Sequence, residues 1–205
     1  MSPEAHLFAS WLIAAGTTRN QRDLRLVTLA GIAPDLDGLG IVADGLNALA
    51  GRETFFYHDY HHYLLHWVFG AVAVAGFLAL FARERWRVAL LALIVFHLHL
   101  LCDLAGSRGP SPVDLWPIHY LGPFSREPVW LWTGQWQLDG WQNRVIGVCL
   151  LAAVLWIGAG RGETVVGVFS RRLDAIVAPV LVRWRAASSR VLSQTTVRDM
   201  PHARK

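Results

Sequence analysis

Two side chains near the end of an apolar run carry the first chemical signal. His99 and Asp103 stand four residues apart within the otherwise apolar stretch 88–104, and a helix puts such a pair on one face, one turn apart. An ionisable group in such a stretch costs roughly 3 kcal/mol on membrane-insertion scales, so it asks for a role. An imidazole and a carboxylate so placed can hold a divalent metal, or can bond to each other and merely join helices. His97 falls on nearly the opposite side.

Other segments supply partners of the same chemical type. Asp35 and Asp37 flank Leu36 just after Pro34. They can cap the following helix, or serve as hard oxygen ligands that bind or bridge metal ions. Four histidines, His58, His61, His62 and His66, crowd nine residues. In a helix His58, His62 and His66 make a stripe with His61 beside it, and neutral imidazole is the commonest metal ligand. The competing reading is an interfacial aromatic belt with Tyr57, Tyr60, Tyr63 and Trp67. His6 alone reads as a solvated group near a terminus. Asp114, His119 and His202 read as surface residues, the first two at most bordering a pocket.

The elements that must position these groups are helices in a membrane. Apolar residues make up 54% of the 205 and charged ones 17%, with a mean hydropathy of +0.34; a soluble domain carries about 25% charged residues. Ten tryptophans suit two membrane–water interfaces. Cys102 and Cys149 lie in separate apolar runs and imply no disulfide framework. The pattern predicts apolar helices over 7–15, 26–33, 67–81, 88–104 and 145–160, with an irregular or partly helical connection at 41–54 and a loop at 105–144 holding five tryptophans. Residues 163–191 place apolar side chains on one helix face and arginines elsewhere, as in a helix lying on the cytoplasmic leaflet. Residues 194–205 are expected to be disordered. The expected fold class is all-α: an integral membrane bundle of about four embedded helices over 1–160, then a basic amphipathic tail over 161–205. The first six residues lack the positive n-region of a secretory signal and are kept in the mature chain.

Charge orients the bundle. From Arg161 onward there are nine Lys/Arg against three Asp/Glu, and basic turns occupy 19–25 and 83–87. Beside apolar helices such charge marks the cytoplasmic side rather than a nucleic-acid surface, so membrane lipid is the expected partner and nucleic acid is not. With these turns inside, His6, Asp35, Asp37, the 58–66 histidines, His99 and Asp103 arrive at the opposite, periplasmic edge. Chance would scatter them over both faces. A haem protein would need axial histidines such as His66 with His97 or His99, but not three aspartates. A proton-coupled transporter suits intramembrane His and Asp, yet short helices without repeats and a site near the edge fit it poorly. A purely structural His/Asp cluster is the remaining alternative.

The order His6, Pro34-Asp35-Leu36-Asp37, His61-His62-Tyr63-Leu64-Leu65-His66, His99-x-x-x-Asp103, Gly109, Trp116-Pro117 resembles the YdjM-like family of LexA-regulated bacterial inner-membrane proteins, regarded as metal-dependent hydrolases. The likeness runs over about residues 5–145. Many members carry His-Arg-Gly where this chain has His61-His62-Tyr63. The family is distantly similar to zinc-dependent phospholipase C and single-strand nucleases. That implies zinc ligands at His6, Asp35, Asp37, His61, His66, His99 and Asp103, and a phosphoester substrate near the membrane. Asp35 or Asp37 would act as general base on the attacking water, and Trp116, Trp130, Trp132, Trp136 and Trp141 would form an interfacial lid.

Overall fold

The computed structural model describes residues 1–61 and 65–198, so the expectations for His62, Tyr63 and His202 lie outside it. The protein is all-α apart from one two-stranded ribbon. Its backbone forms two compact units, 1–150 and 151–205.

In the first unit α1 (Pro3–Thr17) starts on a proline with Glu4 in its first turn, both favourable at a helix N-terminus. Asn20 caps α2 (Gln21–Ile32) by accepting the Asp23 amide at 3.0 Å. Pro34 ends α2, and a 3-10 turn over Pro34–Leu39 leads into α3 (Gly40–Leu49). Of the two readings of 41–54, the partly helical one holds, as far as Leu49. The bend between α2 and the segment after Pro34 is 59°.

The Asp44 carboxylate of α3 accepts the amides of Phe56 (2.9 Å) and Tyr57 (2.8 Å) and so caps α4 (Phe56–Tyr60). This helix is short. His61 is already extended (ψ 134°), so the helical stripe expected of His58 and His66 does not form. The apolar α5 (Val68–Phe81) turns into α6 (Arg85–Gly106), where buried Asp23 accepts the amides of Arg83 (2.8 Å) and Glu84 (3.0 Å). That carboxylate locks the start of α2 to the start of α6.

Helix α2 packs on α1 and α6, and α5 packs on α6. The buried cluster of Ala33, Ala71, Phe96, Leu100 and Ile118 joins them. In the loop after α6, β1 (Ile118–His119) pairs antiparallel with β2 (Val129–Trp130). His97 ties this ribbon to α6, donating from Nδ1 to the Leu93 carbonyl (2.7 Å) and accepting the Tyr120 hydroxyl at Nε2 (2.8 Å). Its role is structural.

Helix α7 (Trp141–Arg161) runs from the first unit into the second. A short 3-10 turn over Val165–Val168 precedes α8 (Arg171–Arg198), which carries on into the first five of the twelve residues, 194–205, expected to be disordered. Asp174 of α8 accepts the amide (2.9 Å) and hydroxyl (2.7 Å) of Thr164. Arg185 lies 4.4 Å over the Trp156 ring and donates to its carbonyl. Leu173, Ile176, Val180 and Trp184 form an exposed apolar stripe on α8.

Two helices, α6 and α7, are long and apolar enough to cross a membrane, and the bent pair of α2 with the segment Pro34–Leu49 makes a third when taken as one span. Helix α5, at 14 residues, rises about 21 Å against a hydrocarbon core of about 30 Å. Against the four or so embedded helices expected, the structure offers two helices long and apolar enough to cross, one bent pair and one short apolar helix.

Candidate metal centre

Four elements aim their polar side chains at one buried point. His6 comes from the second turn of α1, Asp35 and Asp37 from the 3-10 turn after Pro34, His66 from just before α5, and His99 with Asp103 from one face of α6. One ligand atom from each of His6, Asp35, His99 and Asp103 can be chosen so that all four lie within 4.8 Å of one another. His6, His99 and Asp103 are buried and Asp35 is partly buried. These four can hold a metal ion.

The hydrogen bonds around the group decide which atoms face inward. His99 Nδ1 donates to the Gly31 carbonyl at 2.8 Å, which leaves the neutral ring's lone pair on Nε2. His66 Nδ1 donates to Asp37 Oδ2 at 2.9 Å, with the same consequence for its Nε2. The two Nε2 atoms then stand 3.3 Å apart, with Asp103 Oδ2 at 2.9 Å from His99 and 3.4 Å from His66. Lone pairs and a carboxylate this close repel unless a cation or a proton sits among them. Asp35 Oδ1 is 3.7 Å from His99 Nε2, while its buried Oδ2 has no hydrogen-bond partner among the described residues. An orphaned carboxylate oxygen beside two imidazole lone pairs is a donor set that suits a divalent cation such as Zn²⁺.

Asp103 is the hub. Its Oδ1 receives His6 Nε2 (3.0 Å), the Ser107 hydroxyl (3.0 Å) and the Met1 amino group. His6 also stacks on His99, with ring centroids 3.7 Å apart. Asp37 stands behind the group, accepting His61 Nδ1 (2.7 Å) on one oxygen and His66 Nδ1 on the other. It orients two rings at once. Burial alone would lower the pKa of His66, but the carboxylates of Asp103 and Asp37 outweigh it and raise it to about 9. Without a metal, a proton on His66 fills the same electrostatic gap.

A cavity of about 710 Å³ opens onto Asp35, His61 and Asp103. Tyr57 and Trp116 border it, Tyr57 stacked on His61 at 4.6 Å and Trp116 edge-on to His61 at 5.5 Å. Burial pushes the Tyr57 phenol up, as do the carboxylates of Asp35, Asp103 and Asp37, so it stays a neutral donor.

The five-tryptophan lid reduces here to Trp116. Trp130 stacks on Tyr120 (4.1 Å), Trp136 donates to Asn143 (2.8 Å) and sits edge-on to Trp132, and Trp141 is exposed. His58 pairs with Asp59 on the surface, and His119 Nδ1 donates to the Arg126 carbonyl in the loop. Asp114 closes a turn onto Gly109. None of these three lines the cavity. Sequence reasoning gave Tyr57 only a place in the aromatic belt, and assigned no role to Ser107 or to the Gly31 carbonyl, whose one trace is a glycine inside an apolar helix.

No curated protein and no solved structure gives a significant match to the chain. One family model does, over residues 1–169, a span that contains every side chain of the cluster and both long apolar helices. The chain belongs to the family of the YdjM inner membrane protein.

Proposed function

We propose that this inner-membrane protein is a metal-dependent hydrolase acting on a phosphoester in or near the bilayer. His6, Asp35, His99 and Asp103 would hold the cation, with Zn²⁺ the ion their nitrogen and oxygen donors favour. The observation that carries the reading is the convergence of those four ligand atoms within 4.8 Å at the end of an open cavity. Zn²⁺, when bound, supplies a water pKa lowered toward neutrality and polarisation of a phosphoryl oxygen. The protein's own groups divide the remaining work. Asp35 lines the cavity and is the carboxylate placed to orient the attacking water as general base. Asp37 holds the His61 and His66 rings by their Nδ1 protons, and His61 stands at the cavity wall. The positive-inside pattern favours a multi-pass topology with the site on the periplasmic side and the tail in the cytoplasm.

Metal analysis of detergent-purified protein tests this directly. About one Zn²⁺ or more per chain is expected, falling several-fold in Asp35→Ala and His99→Ala. No stoichiometric metal, or unchanged content in both variants, would reject it. The second reading is a non-catalytic protein whose cluster is structural, favoured by the raised pKa of His66: a proton would bridge Asp37 and Asp103 and only join helices. That reading requires a well-folded protein without metal.

A further inference from the structure

Resting on the hydrolase reading of this site, we propose that the substrate carries one long hydrocarbon chain, which lies in the apolar cavity with its phosphoryl end at Asp35 and Asp103. The cavity is two-sided in its chemistry. Leu7 of α1, Ile32 of α2, Leu36 and Leu39 of the 3-10 turn, Ile41 of α3 and Leu138 of the loop make its apolar wall. Asp35, His61 and Asp103 gather at the metal end, and Glu4 and the Met1 terminus line the cavity as well. No lysine or arginine is among the described lining residues, so a phosphate is not held there by a basic side chain. The lining carboxylates of Glu4, Asp35 and Asp103 would repel it. The Met1 amino group is already engaged by Asp103 and Ser107, so the bound cation supplies the attraction and the wall the rest of the affinity.

Size limits the chain count. At roughly 30 Å³ per water-sized group, a methylene being much the same, about 710 Å³ holds around two dozen such groups. A chain of about sixteen carbons with a small head fits within that count, whereas two such chains exceed it. Entry is from the side. Leu36, Leu39 and Ile41 are each more than half exposed although they line the cavity. They sit at the bend of an apolar helix pair, where hydrocarbon of the bilayer meets them. A chain can slide from bilayer to cavity past these three side chains without crossing water.

The test uses the full chain in nanodiscs, with and without Zn²⁺. Methyl-, octyl- and hexadecylphosphonate are compared with dihexadecyl phosphate as ligands. With Zn²⁺ the octyl compound should bind at least about tenfold tighter than the methyl one, since each methylene moved from water gains about fourfold. Hexadecylphosphonate should outcompete the two-chain compound by a similar factor. Leu39→Trp and Ile41→Trp, both at exposed positions, should cost octylphosphonate about tenfold and leave zinc content and methylphosphonate affinity unchanged. Affinity indifferent to chain length, or equal binding of one and two chains, overturns the proposal. In the zinc-free arm a neutral alkyl glycerol series reads the chain site alone. A protein that takes up no zinc yet selects alkyl glycerols by length would sink the hydrolase and leave the chain site standing. Zinc uptake without any chain preference would do the reverse.

Discussion

Asp37 shows how one residue can govern a site without touching the cavity's reacting end. Its two oxygens receive Nδ1–H groups from His61 and His66, and so fix both tautomers. Asparagine has one acceptor oxygen and would set an NH₂ group against the second ring. Asp37→Asn should therefore weaken zinc affinity by roughly 10- to 100-fold while leaving the fold in place, as outer-shell changes do; competition with a chromophoric chelator measures it. His66 offers a pH test on the metal-free protein. Its pKa is raised from 6.5 to about 9 in the folded state, so the folded form holds the proton more tightly than the unfolded one. The stabilisation is complete below pH 6.5 and is lost as pH rises toward 9. Thermal melts of metal-free protein should fall across that window, His66→Gln should flatten the slope, and Zn²⁺ should remove it by taking the proton's place. The pairing of His99 with Asp103 was legible because helical period alone specifies it. The backbone carbonyl that sets the His99 tautomer was not, since no side chain announces it.

At the scale of elements, the site depends on how closely α1 approaches α2. A Cβ built on Gly31 would lie 1.7 Å from Ser10 Oγ and 2.5 Å from Ser10 Cβ. Gly31→Ala must therefore push α1 outward, taking His6 with it and moving the carbonyl that holds His99. The overpacking should cost about 1–3 kcal/mol and reduce metal content. Adding Ser10→Gly removes both clashing atoms and should restore the metal, though with some loss of helix stability. Rescue by Ser10→Ala should be poorer, because the Cβ contact stays. Helix positions were readable from apolar runs and from Pro34, because burial and the missing proline amide act locally. The 58–66 stretch was not. There Asp44 starts α4 and Asp37 gathers the two rings, and these are contacts across the chain that override a helical stripe. The tryptophan loop failed to read as a lid for a similar reason. The Gln135 side chain accepts the Trp116 amide (3.0 Å) and donates to its carbonyl (2.8 Å), which holds that ring at the cavity, while Trp130 packs on Tyr120 and Trp132 on Trp136.

For the whole molecule the question is which leaflet supplies the substrate. Helices α6 and α7 are each long and apolar enough to cross the membrane; in the multi-pass topology proposed above, the residues between them lie on one face and the 83–87 turn and the segment after Arg161 on the other. Basic side chains near an anionic cytoplasmic surface are worth about 1 kcal/mol each. With nine Lys/Arg against three Asp/Glu from Arg161 onward, the proposed topology keeps the tail inside and predicts the loop and the end of α6 bearing Asp103 outside. A cysteine at Val113, 86% exposed in that loop, should react with a membrane-impermeant maleimide in intact cells. A cysteine at Ser189, exposed on α8, should react only after lysis. The background must lack Cys102 and Cys149, which lie within the two spans. If the labelling pattern is reversed, the metal cluster draws on the cytoplasmic leaflet. The chain site would then be fed from the opposite side, although its residues and distances stay the same.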